Sequence, residues 1–262
     1  MADIINPARA RLEAGEVSIG CGLRQARTVD IAKAMKTCGF DWLFIDLEHG
    51  AMSLDTAVQI SVAALDAGIA PLARVPRGQY SMATRLLDGG AMGIVMPHVD
   101  TADEARDVVD HLKYPPVGHR SVYGMLPHFD FQRQKPGEAT ELLNHATLLT
   151  VMLESPQAIE NADAIAQVSG VDVLLIGTGD LTTEMGIPGQ VLDDRVVAAY
   201  ETTIAACAKH GKWVGMGGAT GEAALSKYIG MGVRMILAGN DLSLLMEAAA
   251  ARTKQVRSYL EV

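Results

Sequence analysis

Short, almost continuously apolar runs alternate along the chain with longer segments of helical period. The runs are Val17–Gly22, Asp41–Asp46, Ala70–Arg74, Met92–Met96, Leu148–Leu153, Asp172–Ile176, Lys212–Met216 and Val233–Leu237. Each is about the length of one strand, and unbroken apolarity is what a strand covered on both faces requires. Between them the spacing predicts helices over Thr56–Ala67, Ser81–Asp88, Thr101–Leu112, Pro156–Val168, Arg195–His210 and Gly221–Ile229. Thr101 ahead of Asp103 and Glu104 puts negative charge in a first turn, where the helix dipole favours it. Ser155 followed by Pro156 predicts an N-cap with proline at the first helical position. Gly68, Gly89, Gly170, Gly211 and Gly230 are each expected to close a helix just before the next strand.

Eight strand–helix alternations predict an α/β fold of one domain spanning 1–262, a single (β/α)8 TIM barrel with right-handed parallel crossovers. A doubly wound open sheet shows the same alternation; the count of eight favours closure. The outlier is Lys113–Ala146, too long for a plain loop, with Pro115, Pro116, Arg120, Tyr123, His128, Phe129 and Asp130. Long connections in compact domains are usually functional or interface-forming. This one is expected either to fold back beside the catalytic mouth, where Tyr123, His128 and Phe129 could line an acceptor pocket, or to pack as an oligomer contact.

Composition narrows the function classes. The 262 residues are 49% hydrophobic and 20% charged, enough to bury a substantial core. Lys and Arg number 22 against 31 Asp and Glu, a net charge of -9 without a basic cluster, so no nucleic-acid partner is expected. Cys21, Cys38 and Cys207 form no CxxC, which fits reduced thiols and a cytoplasmic location. The stretch Met1–Glu16 is charged and lacks the apolar core of a signal peptide. No apolar run approaches the ~20 residues that span a bilayer, so no membrane partner is expected either.

In a parallel barrel the chemistry gathers at the carboxyl ends of the strands. Asp46, Glu48, His49 and Gly50 follow the second run, Arg74 ends the third, and Glu154 follows the fifth. The sixth continues through Gly177, Thr178 and Gly179 to Asp180. Each has a plainer use: Asp180 as a helix cap, Glu154 in a rim ion pair, His49 as a loop residue, Arg74 as partner of Asp46. Their joint arrival at one mouth favours function. Two carboxylates at adjacent strand ends suit a hard divalent cation such as Mg2+ or Mn2+. No lysine falls at the carboxyl end of a predicted strand, which disfavours a Schiff-base aldolase. Gly215, Gly217 and Gly218 follow the seventh run, where barrels often hold phosphate, but without a basic partner they read as a tight turn.

The run Phe40-Asp41-Trp42-Leu43-Phe44-Ile45-Asp46-Leu47-Glu48-His49-Gly50 resembles the HpcH/HpaI family of metal-dependent (class II) pyruvate aldolases. Ala73-Arg74-Val75-Pro76, Leu86-Leu87-Asp88-Gly89-Gly90, Pro115-Pro116-Val117-Gly118-His119-Arg120 and Gly177-Thr178-Gly179-Asp180-Leu181 extend the resemblance from about Gly20 to Gly239. It implies a barrel, commonly hexameric, whose C-terminal helix packs on a neighbouring subunit. It implies that Glu154 and Asp180 bind the divalent metal (Mg2+, Mn2+ or Co2+), which chelates a 2-oxo acid as Lewis acid. Arg74 would donate to the oxygen where charge grows, and the backbone at Thr178 and Gly179 would receive the substrate carboxylate. His49, paired with Asp88, would be the acid–base group, acting through a metal-bound water.

The sequence departs from the family where Met152 replaces a common glutamine that helps hold pyruvate, and where Thr178-Gly179 replaces Pro-Ala. Ser121–Phe129 also differs from dicarboxylate-degrading members. The expected activity is a reversible aldol reaction joining pyruvate or hydroxypyruvate to an aldehyde. A lyase acting on a citrate-like or malyl thioester would need a basic site for coenzyme A phosphates, which no cluster at the mouth supplies. A non-catalytic binding barrel would have no use for the full set of metal and acid–base positions.

Overall fold

The computed structural model describes residues 4–259; the two ends of the predicted 1–262 domain, and Met1–Asp3 of the leading stretch, lie outside them. Eight strands run Ser18–Leu23 (β1), Trp42–Asp46 (β2), Ala70–Arg74 (β3), Gly93–Met96 (β4), Leu148–Leu153 (β5), Val173–Gly177 (β6), Trp213–Gly217 (β7) and Met235–Asn240 (β8). They pair in parallel, each with its neighbour in sequence, and β8 returns to β1, so the sheet is a closed barrel. The helices are Pro7–Glu13 (α1), Ile31–Thr37 (α2), Leu54–Ala67 (α3), Tyr80–Asp88 (α4), Ala102–Leu112 (α5), Pro136–Ala146 (α6), Pro156–Glu160 (α7), Ala162–Ala166 (α8), Thr178–Glu184 (α9), Asp194–His210 (α10), Glu222–Met231 (α11) and Asp241–Ser258 (α12). The predicted TIM barrel is the fold, and closure removes the open-sheet alternative.

Alternation along the strands decides which side chains reach the site. In β2, Trp42, Phe44 and Asp46 share the inner face, while Leu43 and Ile45 pack outward under the helices. The inner core also takes Leu72 of β3, Leu148 and Met152 of β5, and Val173 and Leu175 of β6. A Cβ at Gly20 would lie 2.2 Å from the Trp42 ring, so a glycine in β1 is what lets the indole fill the barrel. The same period of two carries Asp46, Arg74 and Glu154 to the upper rim of the interior, above those apolar layers.

The floor is closed by α1. Asn6 caps this helix and donates its side-chain amide to the carbonyls of Met92 and Ala146, at 3.0 and 2.8 Å. Arg9 reaches Asp172 at 2.7 Å, and the buried Lys113 ammonium donates to the Thr147 carbonyl at 2.6 Å. With the amino-terminal end plugged by α1, the described residues leave the barrel open at the carboxyl-terminal mouth.

The two helix starts singled out by their caps form as expected. Thr101 forms a full capping box with Glu104, and the Ser155 hydroxyl accepts from the Ala158 N–H. Four expectations are corrected. Gly170 does not close a helix, since α8 ends at Ala166 with Gln167 as its C-cap. The predicted helix Pro156–Val168 is two short helices that meet at Asn161, whose side-chain amide donates to the Asp100 carbonyl at 2.8 Å. Gly230 lies inside α11; the closing residue is Gly232, in the left-handed region at φ 119°. The segment Lys113–Ala146 does not return to the mouth of its own barrel. It leaves the carboxyl end of α5, which is the amino-terminal end of the barrel, and stays there. Asn144 is bonded in both directions to Tyr114, and the His128 ring sits 3.1 Å from the carbonyl of Ala91, just before β4. The segment contains α6 and a 3-10 turn at Pro127–Phe129, and it lines a groove of about 850 Å³ with Tyr114, Tyr123, Phe129 and Asp88.

Candidate active site

Glu48 and His49 stand on the loop after β2, directly beyond Asp46. Asp46, 1% exposed, accepts backbone N–H groups from Glu48 and His49 at 3.1 and 3.2 Å, which folds this loop back over the strand end. The second Asp46 anchor is Arg74, whose Nε and Nη2 donate at 3.0 and 2.7 Å. Burial alone would raise the Asp46 carboxyl; the guanidinium fork and the two backbone donors outweigh it and hold it below the usual carboxylate range. Arg74 Nη1 lies 3.1 Å from Glu48, and its guanidinium also covers the Phe44 ring at 5.0 Å. Two of its five N–H groups are therefore committed to Asp46, and Nη1 stands beside Glu48 as an ion pair without a hydrogen bond, so both terminal nitrogens keep N–H groups for a ligand. The structural partnership with Asp46 and a substrate-facing role are compatible.

Glu154, just beyond β5, is 2% exposed. Its Oε2 accepts the backbone N–H of His98 at 2.9 Å, and the His98 ring nitrogen lies 3.3 Å away. On its other side a Cβ at Gly177 would sit 2.4 Å from Oε1, so the glycine ending β6 leaves the seat this carboxylate occupies. Desolvation, with the charge of Asp180 adding to it, pushes Glu154 up to about 7 against the opposing His98 N–H. Asp180 is exposed in the first turn of α9 and lines the same cavity. A buried and an exposed carboxylate at neighbouring strand ends, with the charge of Asp180 raising the cost of charging Glu154, form a donor set that a divalent cation would neutralise. Among the described residues no group of three or more His, Cys, Asp or Glu is placed to hold a metal. Two carboxylates suffice for a cation that keeps several waters, as Mg2+ does, so the residues fit such an ion.

The cavity holds about 330 Å³ and brings together His49, Arg74, Glu154, Gly179 and Asp180. Met152, in place of the family's common glutamine, also faces it. The Thr178 hydroxyl is spent on the Tyr200 phenol at 2.7 Å, so only its backbone is free to serve a ligand. Gly218 turns the chain at φ 80°, and a Cβ there would press to 2.9 Å from the Gly179 nitrogen. The tight-turn reading holds for Gly218 alone, because Gly215 and Gly217 lie within β7.

Asp88 is the residue the chain does not bring to the mouth. It ends α4 on the amino-terminal side of the barrel and pairs with Arg120 at 2.6 Å. The neighbour of His49 is instead Glu48, with 3.8 Å between Nε2 and Oε2. The predicted His49–Asp88 pair is thus absent within one chain. Missed entirely were Arg24 after β1, His98 after β4, and Asn240 and Ser243 at the β8–α12 junction. The rule that found Arg74, reading the polar residue that follows each strand, would have found Arg24 and His98 as well.

Known proteins resemble this chain over nearly its whole length. The HpcH/HpaI aldolase/citrate lyase profile matches residues 24–248. A 4-hydroxy-4-methyl-2-oxoglutarate aldolase of Hapsidospora irregularis is 40% identical over 92% of this chain and 92% of its own. A hydroxypyruvate/pyruvate aldolase of Delftia acidovorans is 33% identical, covering 97% of this chain and 93% of its own. The crystal structure of an HpcH/HpaI aldolase from Desulfitobacterium hafniense DCB-2 superposes with a TM-score of 0.89, at 30% identity, over 95% of this chain and 96% of that one. With this barrel, and with Asp46, Glu48, His49, Arg74, Glu154 and Asp180 around one mouth, the chain belongs to the HpcH/HpaI aldolase/citrate lyase family.

Proposed function

We propose that the protein is a metal-dependent aldolase that reversibly joins a small 2-oxo acid, pyruvate or hydroxypyruvate, to an aldehyde. The observation that carries this reading is the single cavity in which the carboxylate pair Glu154 and Asp180 faces Arg74 and His49. The named relatives are aldolases, which favours this branch over thioester lyases. Glu154 and Asp180 would hold Mg2+, Mn2+ or Co2+, and the bound cation supplies Lewis-acid stabilisation of negative charge on the donor's keto oxygen. Arg74 directs N–H groups that Asp46 leaves free at that same oxygen. The first-turn backbone of α9 at Thr178 and Gly179 receives the donor carboxylate. His49 takes the proton from C3 of the donor. The new bond then forms between C3 and the aldehyde carbon, and His49 returns a proton to the aldehyde oxygen, which becomes the hydroxyl. Asp88 has no step in this scheme within one chain.

The protein acts as a homo-oligomer, a hexamer by family resemblance. In α12 no residue is buried, and Leu245 and Met246 are 64% and 62% exposed, a face that a neighbouring copy would cover. Free thiols, one of them exposed, and a -9 charge suit the cytoplasm. Among the described residues no helix is long and apolar enough to cross a membrane.

Solvent exchange tests the reading. With metal and no acceptor, the C3 protons of pyruvate or hydroxypyruvate exchange with deuterium, followed by NMR. His49→Ala slows this by ~10²–10⁴, the usual worth of a positioned acid–base group. Arg74→Lys also fails, because an ammonium does not reproduce the guanidinium fork. Exchange indifferent to both substitutions, or to chelation, overturns the assignment.

A further inference from the structure

The mouth holds a second guanidinium that the scheme above does not use. Arg24 is the first residue beyond β1, lines the cavity beside Arg74, and keeps its side chain 43% exposed. Among the described residues its sole carboxylate within ion-pair reach is Asp46, at 3.7 Å from Nη2, and it makes no side-chain hydrogen bond there. Asp46 has no need of it: four donors, two from Arg74 and two from backbone N–H groups, already serve its oxygens. A half-exposed pair at that distance contributes little to stability.

The loop that carries Arg24 is nonetheless tied down from two directions. The Asp241 carboxylate accepts three successive backbone N–H groups, those of Arg24, Gln25 and Ala26, at 2.8, 2.9 and 2.6 Å. From within the loop, Arg27 folds back and donates to the carbonyls of Ala26 and Arg24, at 3.0 and 2.9 Å. The result is a backbone fixed to the start of α12 with one uncommitted guanidinium held over the cavity. A planar fork presented on a fixed backbone recognises a carboxylate with two parallel, charge-assisted hydrogen bonds.

We infer that Arg24 is the acceptor-selecting residue: it binds a carboxylate on the acceptor, so that the favoured acceptor is an oxo acid rather than a neutral aldehyde. The inference rests on the aldolase reading. Asp241 is a positioning residue that acts through the loop. Donor and acceptor anions are then kept apart, with Arg74 and the α9 backbone serving the donor and Arg24 the acceptor.

The test compares glyoxylate with glycolaldehyde, which are similar in size and differ by a charged carboxylate against a hydroxymethyl group. Pyruvate is the donor and the metal-loaded full chain the enzyme. Pyruvate deuterium exchange by the unaltered protein is measured first; its absence sinks the aldolase reading whatever Arg24 does. With exchange present, kcat/KM favours glyoxylate. Arg24→Ala and Arg24→Gln each cut the glyoxylate-to-glycolaldehyde ratio by roughly 10², as expected where a site's hydrogen-bonding group is removed. Arg24→Lys restores part of the ratio. Asp241→Asn, outside the cavity, lowers it less and mainly through the glyoxylate KM. An unaltered protein without preference, or variants that slow both acceptors by the same factor, overturns the inference while leaving the aldolase reading standing.

Discussion

Asp46 and Arg74 are register partners at the last rung between β2 and β3, and the Arg74 fork closes on Asp46 through Nε and Nη2 at 3.0 and 2.7 Å. Because paired residues of parallel strands project to one face, the backbone ladder itself delivers both side chains to the inner rim. The pair fixes Arg74 so that its remaining N–H groups need no reorganisation when charge develops on a ligand. Asp46→Ala would leave a guanidinium that is 6% exposed with only Glu48 as partner. We expect a loss of about 3 kcal/mol in urea unfolding, the usual cost of breaking a buried pair. Asp46→Asn keeps the shape and should cost less stability while still lowering kcat. Equal stability of Asp46→Ala and the unaltered protein would show the pair to be dispensable.

Metal affinity should depend on a residue that ligates nothing. Gly177→Ala places a methyl 2.4 Å from Glu154 Oε1, against a side chain that is nearly fully buried and cannot swing aside. Mn2+ titration followed by electron paramagnetic resonance should show weakened binding in Gly177→Ala, as in Glu154→Gln and Asp180→Asn, with the far-ultraviolet circular dichroism of the barrel retained. Full Mn2+ affinity in all three variants would remove the site from this pair of carboxylates.

Strand positions were legible because burial on both faces writes itself as apolar runs: Ala70–Arg74 and Leu148–Leu153 match residue for residue. The far end of β8 was not, because Ala238, Gly239 and Asn240 continue the ladder with small or polar residues. Helices α1, α2 and α9 span seven residues each, too few for periodicity to stand out. Arg74, Glu154 and Asp180 could be placed at the mouth since each follows a recognisable strand. The Asp88 assignment came from resemblance alone; a helix that follows a strand ends at the amino-terminal side of the barrel, so the last turn of α4 lies away from the mouth of its own chain. The misplacement of Lys113–Ala146 has one cause: a connection after a helix, unlike one after a strand, starts from the amino-terminal end.

The exposed face of α12 yields a prediction about assembly. Helices exposed on all sides gain little from propensity alone, so an apolar stripe with no cover among the described residues needs cover from a further surface. Leu245→Glu with Met246→Glu should lower the mass measured by light scattering while the barrel's thermal transition persists. Unchanged mass in the double variant would show that α12 does not hold the copies together.

Acid should loosen the Lys113–Ala146 segment through His128. Its Nε2 faces the Ala91 carbonyl at 3.1 Å and suits the donor tautomer, but its Nδ1 is buried without a partner. Protonation would place a charged N–H there with nothing to accept it. Desolvation accordingly pushes the imidazole down to about 4 from its usual 6.5, despite the Ala91 contact. The sign follows from linkage: between those values the unfolded chain binds the proton and the folded chain does not. Stability is therefore fully present above pH ~6.5 and falls as the pH drops towards 4, by up to about 3 kcal/mol. Carboxylates elsewhere also respond to acid, so the difference between the unaltered protein and His128→Gln isolates this group. Glutamine can still donate to Ala91 but does not titrate. Urea unfolding from pH 7 to pH 4 should show the unaltered protein losing stability faster than the variant, with the gap opening below pH 6.5. Parallel curves, or a His128 resonance that titrates near 6.5 in the folded protein, would show that the ring is not held neutral.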